Sequence, residues 1–189
     1  DDSVFRVFDG KARPLRLGRG LAPVELRLKT PVSRPTLALG ADLKNTIALA
    51  VDDRALVSPH LGDLGAPRSL AVFEQVIADL CRLYAVAPER IVCDAHPGYF
   101  SARWARGRAG DLQRVFHHHA HASALFGEFA LDPPILVFTW DGLGFGEDGT
   151  FWGGEALLGG PGQWRRVASL RPFRLIGGDS ASRDPWRCA

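Results

Sequence analysis

The 189 residues include no methionine, only two tyrosines and only three cysteines. Cys81, Cys93 and Cys188 are odd in number and far apart, which excludes a disulfide framework and suits buried thiols in a reducing cytoplasm. No apolar run is long enough to cross a bilayer, and no basic segment followed by an apolar one opens the chain. Neither a membrane span nor an export signal is therefore expected, and the predicted location is cytoplasmic. A net charge of +2 provides no excess for binding nucleic acid or an acidic membrane. No internal repeat or low-complexity segment is visible. What remains, 46% hydrophobic and 23% charged residues, is the composition of a globular chain able to bury one sizeable core. The missing methionine, and a final stretch Asp184-Pro185-Trp186-Arg187-Cys188-Ala189 that opens like a helix with an acidic cap and an early proline, make the chain read as a fragment.

Residues 1–30 contain a strand pattern at Val4-Phe5-Arg6-Val7-Phe8, an Asp9-Gly10 turn, and a basic stretch through Arg16, Arg19 and Arg27 broken by Gly18, Gly20 and Pro23. They read as a hairpin and an extended connector. Thr36–Gly40 and Asn45–Val51 read as two strands joined by a polar turn at 41–44, with a third strand at Ala55–Ser58. Apolar residues at 70, 73, 76, 77, 80 and 83 predict a helix over 70–84 that packs through Phe73, Ile77 and Leu80. Strands at 90–94, 113–116 and 135–140 then alternate with helices near 99–106 and from His117 to about Ala130. This order argues for βαβ crossovers and an α/β fold, with a mixed sheet and flanking helices. Residues 150–170 alternate and turn like another β-meander.

Four histidines in five residues, at 117, 118, 119 and 121, carry the strongest chemical signal. His117 and His121 are four apart, so a helix starting here presents both rings on one face, a spacing suited to one metal ion, while His118 and His119 point elsewhere. A third ligand is needed. Asp141, read as closing the strand 135–140, supplies it, since ligands gather at strand ends in α/β sheets. The plainer reading is a polar helix cap with solvated histidines. Gly142, Gly144 and Gly146 then predict a loop into which a phosphate or acyl group can come close. Gly40, Lys44, Asn45 and Thr46 suit a phosphate cradle of backbone N–H groups and one ammonium, and suit an ordinary hairpin turn equally well. Asp94 and His96 fit either a metal-lined crevice or a simple turn. No Ser, Cys or Lys stands in an evident nucleophile setting.

The segments LGADLKNT (39–46), SPHLGDL (58–64), CDAHPGY (93–99), HHHAH (117–121), WDGLGFGEDG (140–149) and Gly177-Gly178-Asp179 recur in order across 36–189. As a set they resemble the carbamoyltransferase region of the HypF family of hydrogenase maturation proteins. The resemblance implies the first lobe of an actin-like (ribonuclease H-like) ATPase fold over 31–189, with the second lobe absent. Residues 1–30 resemble the end of that family's adenylate-forming domain. It implies transfer of a carbamoyl group from carbamoyl adenylate, an ATP-derived substrate, to the C-terminal cysteine of a HypE-like acceptor, on the route to the cyanide ligands of nickel–iron hydrogenase. His117, His121 and Asp141 match metal-binding and catalytic positions for iron or zinc. Gly40, Lys44, Asn45, Thr46, Gly142 and Gly144 match nucleotide or phosphate contacts. Without the second lobe, the fragment is expected to be inactive alone. Two other classes fit the same residues: a metal-dependent hydrolase using Glu147 as general base, and a non-enzymatic metal-binding module using all four histidines.

Overall fold

The computed structural model describes residues 2–18, 20–108, 110–174, 176–178, 180, 181, 184 and 186. Arg19, Asp179 of the Gly-Gly-Asp motif, Cys188 and the helix start expected at Pro185 lie outside the described residues. The chain divides into two compact units, Asp1–Val115 and Phe116–Ala189.

In the first unit, β1 (Val4–Phe8) and β2 (Lys11–Arg16) form an antiparallel hairpin. Asp9 and Gly10 both take positive φ, 49° and 69°, as a two-residue turn matched to strand twist requires. The remaining strands are β3 (Val24–Arg27), β4 (Thr36–Ala38), β5 (Ala48–Val51), β6 (Arg54–Val57), β7 (Arg90–Asp94) and β8 (Asp111–Val115). They build one six-stranded sheet in the order β3-β6-β5-β4-β7-β8. β4, β7 and β8 run parallel; the other pairs are antiparallel. Helix α1 (Pro67–Leu83) connects β6 to β7, and α2 (Phe100–Arg106) connects β7 to β8. The mixed α/β architecture expected from the sequence is present. β3 lies within the stretch read as a connector, yet it pairs with β6 as an edge of this sheet.

Helix α1 begins with Pro67 at its first position, where a missing N–H costs nothing, and buries Phe73, Ile77 and Leu80 as the apolar period requires. These pack with Leu37, Leu49, Leu56 and Ile91 of the sheet, and Phe73 meets Phe100 and Trp104 edge-to-face at 6.2 and 5.5 Å.

The second unit packs α3 (His117–Glu128) on a three-stranded antiparallel sheet, order β11-β10-β9, formed by β9 (Ile135–Phe145), β10 (Phe151–Gly159) and β11 (Arg165–Ser169). Its core is Ala122, Val137, Trp152, Leu157 and Trp164. The meander expected over 150–170 is this β10–β11 pair.

Two boundaries differ from the sequence reading. Strand β9 does not end at Trp140; it runs on to Phe145, because β10 supplies partners as far as Gly144 and Phe145. Asp141 is therefore a mid-strand residue, and Gly142 and Gly144 belong to the strand instead of a loop. Nor is 41–44 a tight hairpin turn. β4 stops at Ala38 and β5 starts only at Ala48, because Asn45 bridges to Gly62 outside the sheet register.

Candidate functional site

Helix α3 starts at His117, so His117 and His121 fall one turn apart on one face. Their rings lie 4.9 Å apart at 83°. Asp141 sits on the strand beneath them. Its Oδ1 accepts the Gly142 N–H at 2.7 Å, which turns Oδ2 toward both imidazoles. His117 Nε2 is 2.9 Å and His121 Nε2 3.5 Å from that oxygen, and one ligand atom from each residue lies within 4.8 Å of the others. Ligands about 2.0–2.1 Å from a tetrahedral ion stand ~3.3 Å from each other, so the two separations bracket the spacing that a single ion needs. Hydrogen bonds from His117 and then His121 hold the Asp141 carboxyl well below the usual carboxylate range, against the opposing effect of burial. The site thus presents an ionised oxygen between two imidazoles. That donor set suits zinc or iron and leaves at least one coordination position open.

The other two histidines face away. His118 is fully buried. Its Nε2 lies 3.1 Å from the Gly153 carbonyl oxygen. A carbonyl only accepts, so Nε2 carries the proton. Burial pushes the His118 pKa down, the ring is neutral, and its Nδ1 has no hydrogen-bond partner. His119 packs against Phe116 and Trp152, with Nε2 3.8 Å from Glu147. Glu147, which a hydrolase would need at the ion, accompanies His119 and does not join the His117–His121–Asp141 group.

Gly144 has a packing reason that the sequence does not reveal. A Cβ there would lie 2.5 Å from His118 Nδ1 and 3.0 Å from His117 Cβ, whereas a Cβ on Gly142 meets nothing. Gly144→Ala should cost about 1–3 kcal/mol and displace His117, weakening metal binding as well. Gly142→Ala should do neither. Urea unfolding together with metal titration of the two variants checks this.

Behind the site, Arg166 stacks over Trp152 at 4.2 Å and pairs with Asp148 at 2.7 Å. Asp148 accepts from Trp152 Nε1 at 2.9 Å, so the 146–150 turn and the wall beside His118 and His119 are fastened together. Sequence reading left both charges as solvated.

The expected phosphate residues separate into two roles. Asn45 is buried, and its amide donates to the carbonyls of Leu39 and Ala41 at 2.8 and 2.5 Å. It clamps the loop. Gly40, at φ +65°, leaves no room for a side chain, since a Cβ would be 2.6 Å from the Thr46 carbonyl oxygen. Lys44 is exposed, Thr46 is half-buried, and both line an open cleft. Asp42, which sequence reading missed, accepts from the N–H groups of Phe100 and Ser101 at 2.7 and 3.1 Å and caps α2 from across the unit. A cap acting over 58 residues leaves no local signal. Asp94 and His96 fold onto their own turn: Asp94 accepts the His96 N–H at 2.7 Å, and His96 accepts the Gly98 N–H and stacks on Tyr99.

Among the described residues, no helix is long and apolar enough to cross a membrane. A family model described as the HypF Kae1-like domain matches residues 31–128, and one described as "Carbamoyltransferase, Kae1-like Domain, second subdomain" matches 137–189. The chain is 43% identical over 190 residues to the carbamoyltransferase HypF of Synechocystis sp. and 41% identical over 189 residues to that of Rhizobium leguminosarum bv. viciae. It covers 100% and 99% of itself in these matches but only 25% and 24% of the relatives, and so spans about a quarter of their length. Among solved structures, a full-length HypF in a phosphate- and nucleotide-bound form superposes with a TM-score of 0.93 at 34% identity, over 99% of this chain and 25% of that one. The HypF of T. kodakarensis gives 0.86 at 32%, with the same coverage. With one family model matching more than half of its residues and the fold reproduced along its length, the chain belongs to the HypF Kae1-like domain family.

Proposed function

We propose that this chain carries the metal-binding and phosphate-contacting residues of a carbamoyltransferase. The enzyme moves a carbamoyl group from carbamoyl adenylate to the C-terminal cysteine of a HypE-like acceptor, for cyanide ligand synthesis in nickel–iron hydrogenase. The observation that carries this reading is the convergence of His117, His121 and Asp141, with their ligand atoms within 4.8 Å of one another, in a member of this family. We take residues 1–30 as the exit from a preceding adenylate-forming domain, and 31–189 as the opening part of the two-lobed transfer domain. The remainder contributes a further carboxylate ligand and most of the nucleotide pocket.

In the reaction, the acceptor's thiolate sulfur attacks the carbamoyl carbon, the bond from that carbon to the phosphate oxygen breaks, and adenosine monophosphate leaves with the electron pair. His117, His121 and Asp141 would hold iron or zinc, which when bound supplies Lewis-acid polarisation of a carbonyl oxygen. Asp141 stays ionised throughout, fixed by its Gly142 contact. His118 anchors the start of α3 to β10, which keeps His117 over Asp141. Lys44 offsets negative charge gathering on the departing phosphate. The hydrolase alternative lacks a base, since Glu147 pairs with His119. The storage alternative needs four converging histidines, and two of the four are turned away.

The 189-residue chain alone should transfer no carbamoyl group, while the complete two-lobed protein given carbamoyl adenylate should add one. Mass spectrometry of the acceptor's C-terminal peptide reads this directly. Full modification by the 189 residues alone would place the chemistry differently.

A further inference from the structure

A cleft of about 450 Å³ opens in the first unit between the end of β2 and the stretch from Lys44 to His60. Its polar wall is Arg16, Lys44, Thr46 and His60, its apolar wall includes Leu17 and Val57, and among the described residues no carboxylate lines it. Main-chain bonds hold the walls in place: the His60 N–H donates to the Leu17 carbonyl at 2.8 Å, and the Lys44 N–H donates to Asp63 at 2.8 Å. Asp63 is thus engaged with backbone, and the Lys44 ammonium has no ion pair among the described residues. Lys44 also sits at φ 50°, a left-handed conformation that costs a residue with a side chain about 1–2 kcal/mol.

Burial, and then the charge of Arg16, push the His60 pKa down; Lys44 adds to this and Asp63 opposes it. Both cations therefore act on the same space, and the imidazole facing them is neutral with one N–H to donate. Two cations and a donor against an apolar wall fit an anion with an apolar body attached.

We propose that this cleft binds the phosphate of a mononucleotide, with Arg16 and Lys44 on the phosphoryl oxygens, His60 donating one N–H, and the nucleoside along Leu17 and Val57. The inference rests on the phosphate-contacting role given to Lys44 in the proposed function. It adds Arg16 and His60, which the sequence places 28 and 16 positions away from Lys44. It does not depend on the metal.

Calorimetric titration of the chain with adenosine monophosphate, inorganic phosphate and adenosine tests it. Adenosine monophosphate should bind, phosphate should bind more weakly, and adenosine should not bind measurably. Arg16→Gln and Lys44→Gln should each weaken adenosine monophosphate about tenfold or more, His60→Gln should weaken it less, and Arg16→Lys should retain part of the affinity, which guards against loss through misfolding. His121→Ala should bind the nucleotide like the parent chain, so a failure of the metal reading would leave this result standing. No binding at millimolar nucleotide, adenosine binding as tightly as its monophosphate, or unchanged affinity in Arg16→Gln and Lys44→Gln would each overturn the proposal.

Discussion

Asp141→Asn in the complete protein should abolish carbamoyl transfer without unfolding it. The substitution keeps the shape of the side chain and removes the charge that His117 and His121 face at 2.9 and 3.5 Å. An amide oxygen can still accept the Gly142 N–H, so the local backbone keeps its contact. An amide is a poor ligand where an anionic oxygen completes the set, and the developing charge of acyl transfer loses its stabilisation. Loss of a group acting on the transition state typically costs 10²–10³-fold or more in rate. The readout is carbamoylation of the acceptor's C-terminal peptide, with circular dichroism as the control for folding. Transfer at the parental rate would show that Asp141 takes no part.

The largest stability effect should come from Phe73→Ala. Phe73 is fully buried, and it packs against Phe100 and Trp104 as well as the sheet, so its removal loses transfer energy and leaves a cavity that three rings cannot all collapse into. Such a truncation costs about 3–5 kcal/mol. Hydrogen exchange of the β4 and β7 amides should lose a matching part of its protection, and protection unchanged to within ~1 kcal/mol would mean that α1 is not packed as described. Leu83 lies on the same helix but is exposed, so Leu83→Ala should have little effect.

Much of this was legible because the signals were periodic or local. Helix α1 follows from apolar spacing alone, and its buried residues are those that the stripe picks out. The start of α3 at His117, and the pairing of His117 with His121 on one face, follow from helical geometry. The end of β9 was not legible, because a glycine-rich stretch reads as a loop until a partner strand is in place; β10 turns it into a paired strand. Gly144 was assigned to ligand approach, and the reason for it is His118, twenty-six residues away in sequence. Asn45 looked like a phosphate contact because of its neighbours, yet it is buried with its amide given to Leu39 and Ala41. Asp42, Asp148 and Arg166 act through partners that only folding brings together.

Metal analysis of the full-length protein and its His121→Ala variant, after dialysis against zinc or iron, bears most directly on the assignment. His121 is half-exposed and one turn from His117, so removing its ring leaves the helix intact and deletes one of three ligands from this chain. The His117–His121–Asp141 site predicts one ion fewer per chain in the variant than in the parent. Identical metal content in the two proteins would contradict it.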